Sequence, residues 1–125
     1  ISRIASALNE HEKSLKGSKI LALGVAYKRE TNDIRESPAL EVLRGLHEKG
    51  ALVYYSDPYV PSAVLNGKST KSVNLSPKIL RSMDCVVILT DHSSFNSQMI
   101  ATHSPLIIDS RNMLRDFQGP KIIRL

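Results

Sequence analysis

The sequence has no tryptophan, one cysteine and no long apolar run. A single cysteine, Cys85, excludes an internal disulfide framework and fits a reducing cytoplasm. It lies inside MDCVVILT. Burial in apolar surroundings raises a thiol's pKa, so a structural thiol is expected there rather than a nucleophile. The longest apolar run, CVVILT, suits a strand and falls far short of the ~18–20 residues that cross a membrane. The first residues, ISRIASALNEHEK, are amphipathic and mixed in charge, unlike a secretory leader. They begin without Met, as expected of a piece of a longer protein. The net charge is +5 and the sequence pI about 9.5. Yet there is no Lys/Arg block, no aromatic interleaving and no zinc-finger spacing, so nucleic acid is not indicated. The four histidines and one cysteine are scattered and form no metal-ligand pattern.

What is present is an ordinary globular composition, 42% hydrophobic and 23% charged over 125 residues, enough for one domain with a real core. Ile1, Ile4, Ala5 and Leu8 follow helical spacing, with Leu15 beyond, and predict a helix ending near Lys16-Gly17-Ser18. Residues 19–25 are an apolar strand broken only by Gly24. Ser37-Pro38 starts a helix with the stripe Ala39, Val42, Leu43 and Leu46, stopped by Gly50. Residues 51–55 form a second strand, closed by the turn Ser56-Asp57-Pro58. NGKSTK reads as a loop and Ser72-Val73-Asn74 as a short edge strand. Ser76-Pro77 opens a helix to about Ser82, and residues 86–89 are a strand. Ser93 or Ser94 begins another helix through Ile100. Residues 106–108 and 121–125 are the last strands. Strands that are apolar runs, alternating with helices, predict a mostly parallel five-stranded sheet in a three-layer α/β/α sandwich.

In such sheets ligands bind beyond the carboxyl ends of the strands, where the strand order reverses. The ends here are Ala26-Tyr27-Lys28, Ser56-Asp57-Pro58, Thr90-Asp91-His92 and Asp109-Ser110-Arg111-Asn112. Lys28, Arg35 and Arg111 are therefore candidates for one cationic rim, suited to a diphosphate or carboxylate. Loops at strand ends are polar in any case, and Asp33 with Arg35 is also readable as a local ion pair. Tyr27 suits stacking on a flat ring or packing against the sheet. Asp57 invites comparison with the ribose-binding acid of dinucleotide folds. The first strand is followed by LGVAYK, however, with one glycine and no GxGxxG, so Asp57-Pro58 reads as a turn former. His92 reads as a histidine at a helix start or in a loop, since no Ser or Cys nucleophile pattern accompanies it.

Four stretches in order, GVAYKRETNDIRESPALEVLRGL, YSDPYV, DCVVILTDHSSF and IIDSRN, resemble the C-terminal, UDP-binding domain of the UDP-glucose/GDP-mannose dehydrogenase family. The resemblance runs from about Gly17 to Asn112 or beyond. It implies an enzyme that oxidises the C6 hydroxymethyl of a nucleotide-sugar to a carboxylate with two NAD. It also implies an N-terminal Rossmann domain, a helical middle domain that dimerises, and a homo-oligomer. On this resemblance residues 1–16 are the end of a connecting helix and residues 17–125 the nucleotide-sugar-binding domain. Tyr27, Lys28 and Arg111 are then expected to contact the UDP-sugar and Arg35 the NAD. The family's catalytic cysteine belongs to a motif absent here, which Cys85 does not match, so no hydride chemistry is expected of this chain alone. AYK in place of AFK, and TDHSSF, resemble the bacterial UDP-N-acetylhexosamine enzymes more than the UDP-glucose ones. Two other classes compete. One is a stand-alone nucleotide-binding or regulatory module. The other, a phospho-acceptor receiver, needs clustered acids at the first strand's end, where Tyr27-Lys28 stand instead.

Overall fold

A computed structural model describes residues 1–26 and 37–125. In chain order the elements are α1 (Ser2–Glu10), β1 (Lys19–Leu23), α2 (Pro38–Glu48), β2 (Leu52–Ser56), β3 (Ser62–Leu65), β4 (Lys68–Lys71), α3 (Pro77–Ser82), β5 (Cys85–Ile88), α4 (Ser97–His103), β6 (Ile107–Asp109) and β7 (Ile122–Arg124). Five strands make one sheet in the order β2-β1-β5-β6-β7, every pair parallel. The expected α/β architecture is thus present, in the doubly wound order of a flavodoxin-like sheet.

Alternate residues of the apolar strands feed opposite faces. Leu21, Leu23, Val86, Ile88 and Ile107 pack with Leu80 of α3 and Ile100 of α4. Ile20, Cys85, Val87 and Ile108 pack with Ile4 and Leu8 of α1 and Leu46 of α2. The register Ile20↔Cys85 and Leu21↔Val86 keeps the two faces separate. Cys85 is fully buried in this second layer. Burial, with the nearby Asp84 charge, pushes its thiol up to about 12, as expected of a structural cysteine.

Several boundaries differ from the sequence reading. The first helix stops at Glu10 rather than near residue 16. Glu12 takes a left-handed φ of 59° and the Lys13 N–H reaches back to the Leu8 carbonyl, a Schellman-type closure. The Lys13 ammonium then pairs with Asp84 at 2.9 Å. α4 begins at Ser97, because Asn96 caps it by accepting the Met99 N–H at 3.0 Å. Ser76 caps α3 as predicted, accepting the Ile79 N–H at 3.1 Å.

The largest departure lies in residues 62–71. NGKSTK is not a loop but the turn and second strand of an antiparallel hairpin, β3–β4. Asn66 and Gly67 both take positive φ, 52° and 80°, the geometry of a two-residue hairpin turn matched to strand twist. Residues 72–74, expected as an edge strand, contribute one backbone bond to β2, Val73 N–H to Tyr55 O at 2.9 Å. The buried Tyr55 hydroxyl donates to Val60 O at 2.9 Å and so ties β2 to the root of the hairpin.

Candidate functional site: the switch point of the sheet

The strand order reverses between β1 and β5, and their carboxyl ends approach closely there. Gly24, φ +88°, is what permits it. A Cβ on residue 24 would sit 2.4 Å from Thr90 Cβ and 2.9 Å from the Thr90 backbone N and O. The single glycine of LGVAYK thus serves strand-to-strand contact rather than close approach of a phosphate.

Beyond Gly24 the chain leaves the ladder, and buried backbone groups there still need partners. Side chains provide them. Asp57 Oδ2 accepts the N–H of Val25 at 2.9 Å and of Ala26 at 3.1 Å. Ser37 Oγ donates to Val25 O at 2.7 Å, and Thr90 Oγ1 donates to Ala26 O at 2.9 Å. Ser37 was expected to cap α2; its hydroxyl goes to Val25 O, and α2 has no side-chain cap hydrogen bond. Asp57 Oδ1 accepts the Tyr59 N–H at 2.8 Å, which is the predicted turn-forming role. The second oxygen has the larger role. It also meets His92 Nε2 at 3.0 Å, with both side chains wholly buried. An ionised carboxylate has no proton to give, so the imidazole donates. His92 is thus a loop histidine, as read from the sequence, but a buried one. Its ring lies between Tyr59 and Phe95, with centroids 4.8 and 5.5 Å away.

These contacts bear on cofactor binding. In a dinucleotide fold the N–H groups after the first strand face a pyrophosphate. Here the N–H groups of Val25 and Ala26 are taken by Asp57. The described residues at this turn therefore do not fit the body of a dinucleotide.

Arg111 stands on the same edge, after β6. The buried Asp109 folds its turn: Oδ1 accepts the N–H of Arg111 and Met113, both at 3.1 Å, and Oδ2 that of Leu114 at 2.8 Å. Arg111 is exposed, and its Nε donates to Leu89 O at 2.8 Å. A guanidinium held by Nε has four Nη hydrogens left for an anion. Ala26, Pro38, Ala39, Leu89, Ser110 and Arg111 line a cleft of about 220 Å³ at this edge. Two other cations serve the fold: Lys121 Nζ donates to Ser104 O at 2.8 Å, and Arg124 donates to the carbonyls of Leu114 and Phe117.

Of the predicted site residues, Arg111 lies on the switch-point rim. Tyr27, Lys28 and Arg35, with Asp33, lie outside the described residues. Sequence reasoning missed the Asp57–His92 pair. Its signal was the recurrence of polar residues, SDP and TDH, at two strand ends.

The class defined so far is a doubly wound parallel α/β domain with an anchored arginine beside its switch point. The profile described as "UDP-glucose/GDP-mannose dehydrogenase family, UDP binding domain" matches residues 21–116, and the chain belongs to that family. A UDP-glucose 6-dehydrogenase of Rickettsia bellii is 36% identical over 126 residues, covering 92% of this chain and 28% of the relative. A UDP-N-acetyl-D-mannosamine dehydrogenase of Methanococcus vannielii is 36% identical over 104 residues, covering 77% of this chain and 23% of the relative. A solved UDP-D-ManNAc dehydrogenase from Pyrococcus horikoshii superposes with a TM-score of 0.72 at 28% identity, over 97% of this chain and 28% of that one. The chain thus spans about a quarter of the length of such proteins.

Proposed function

We propose that this chain is the nucleotide-binding domain of an NAD-dependent UDP-sugar 6-dehydrogenase, which oxidises the C6 alcohol to the uronic acid. The domain holds the UDP part of the substrate, and the sugar projects toward a catalytic cysteine in another part of the protein. Tyr27, Lys28 and Arg111 contact the nucleotide-sugar; Arg35 reaches an NAD whose body rests on a Rossmann domain of the same enzyme. NAD supplies the hydride acceptor. Residues 1–16 form the end of the connection from the preceding domain, and the whole protein is a cytoplasmic homo-oligomer serving polysaccharide biosynthesis. Binding a remote nucleotide aligns the reacting carbon and gives the fragment a catalytic role without chemistry of its own.

The observation that carries this reading is the family match over residues 21–116, which contains all four strand-end motifs. The equal identities to a UDP-glucose and a UDP-N-acetylmannosamine enzyme leave the two sugars level; the wording AYK and TDHSSF favours the N-acetylhexosamine. The test is NAD reduction by the complete protein, with UDP-glucose, UDP-N-acetylglucosamine and UDP-N-acetylmannosamine compared by kcat/KM. Turnover is expected with one of them and none by residues 1–125 alone. Turnover by the isolated chain would overturn the assignment of the catalytic cysteine elsewhere.

A further inference from the structure

The ladder of β1 ends at Leu23, yet the next residues are not released to solvent. All four backbone polar groups of Val25-Ala26 are bound by buried side chains from three other places: Asp57 after β2, Ser37 before α2 and Thr90 after β5. Thr90 also follows Leu89, whose carbonyl anchors Arg111 Nε at 2.8 Å. Ala26 is therefore tied through Thr90 and Leu89 to Arg111, and all but Thr90 line the same cleft. Buried backbone groups need partners in any fold. What is particular here is that the partners join the end of β1 to the anchor of Arg111 at one cleft, where small misplacement of a binding group costs affinity.

We propose that Thr90, Asp57 and Ser37, with His92 steadying Asp57, are positioning residues for nucleotide binding. They fix the last residue before Tyr27-Lys28 in register with Arg111, without touching the ligand. The inference rests on the UDP-site reading above.

The probe is UDP, with its Kd measured by calorimetry on the complete protein and the Tm of every variant recorded. Thr90→Val keeps the shape and removes the hydroxyl; it is expected to weaken UDP about five- to tenfold, the scale of one lost hydrogen bond. Thr90→Ser restores the donor and should bind within about twofold of the parent. His92→Gln, whose amide nitrogen can reach the Nε2 position, should bind UDP better than His92→Leu. Arg111→Ala should cost less in a Thr90→Val background than in the parent, because both act on one arrangement. Full additivity, or parent-like UDP binding by folded Thr90→Val and Ser37→Ala while Arg111→Ala loses affinity, overturns the positioning role and leaves the site standing. Parent-like binding by both Lys28→Ala and Arg111→Ala overturns the site reading itself.

Discussion

Asp57 Oδ2 meets His92 Nε2 at 3.0 Å in a fully buried pair that joins the ends of β2 and β5 across the end of β1. Asp57 also accepts three backbone N–H groups, so the two partners are unequal. Asp57→Ala orphans all three N–H groups and the imidazole. The expected loss is roughly 3–5 kcal/mol, as for breaking a buried pair. His92→Leu leaves the carboxylate with its backbone donors and should cost about 1–3 kcal/mol. Urea midpoints in that order support the hierarchy; equal losses would mean that His92 carries most of the binding.

Gly24→Ala meets two obstacles at once. A left-handed backbone costs about 1–2 kcal/mol for an L-residue, and overpacking against Thr90 adds about 1–3. A loss of roughly 2–5 kcal/mol is expected, measured by denaturant unfolding. Thr90→Ala does not rescue it, because the backbone N and O of residue 90 remain in the way.

The alkaline limb of stability should be steep. Burial, aided by the Asp57 charge, pushes Tyr55 up to about 12, and Cys85 is raised to about 12 as well. In the unfolded chain these groups lose protons near pH 10 and 8.5, respectively. Above those values the unfolded state binds fewer protons, so stability is full below about pH 8.5 and falls toward pH 12. Cys85→Ala should flatten the fall between about pH 8.5 and 10 despite a small cavity cost. A thiol reagent should label native Cys85 only as fast as the protein opens.

Asp84 acts at the other end of the scale. Burial works against its carboxylate. The hydrogen bonds from Lys13 and the Lys19 N–H, with the charges of both lysines, outweigh it and lower the pKa. A lowered folded pKa means stability present above the ordinary carboxylate value near 4 and lost as pH falls below it. The Lys13 partner is half exposed, so the screened pair contributes at most about 1 kcal/mol. Asp84→Asn should therefore lower the urea midpoint at pH 7 slightly and reduce its decline from pH 4 to 2. An unchanged acid slope would assign that decline to other carboxylates.

The sheet was legible because each of its strands is an apolar run, and an apolar run buried on both faces leaves little freedom of assignment. β2, β5 and β6 were each read within one residue at either end, and β1 ran two residues too long. The hairpin was missed although Asn66-Gly67 is a strong local turn signal. KSTK is polar and SAVL is only four residues long, too short to show on hydrophobicity alone. His92 was read correctly as a loop histidine, but its burial was not foreseen, for a different reason. Its burial depends on Asp57, a residue 35 positions away, and on aromatic neighbours brought in by the fold, none of which has a local signature. The position of Arg111 on the switch-point edge was legible because Asp109-Ser110-Arg111-Asn112 follows a strand on a predictable edge.

Arg111 offers the cleanest test of the proposed nucleotide site, because its side chain is exposed and only its Nε serves the fold. Replacement should leave stability within about 0.5 kcal/mol, as for surface substitutions generally. If Arg111 grips a diphosphate through its Nη groups, Arg111→Ala loses a charge-assisted pair and UDP binding weakens by about 10- to 100-fold, equivalent to roughly 1.5–3 kcal/mol. Arg111→Lys separates charge from geometry. A lysine keeps the positive charge but has neither the planar fork nor the Nε–H that Leu89 O holds. It should recover only part of the lost affinity, and more for inorganic phosphate than for UDP. Complete recovery by lysine would show that the site reads charge alone, and the hydrogen bond that anchors the guanidinium would then have no part in recognition.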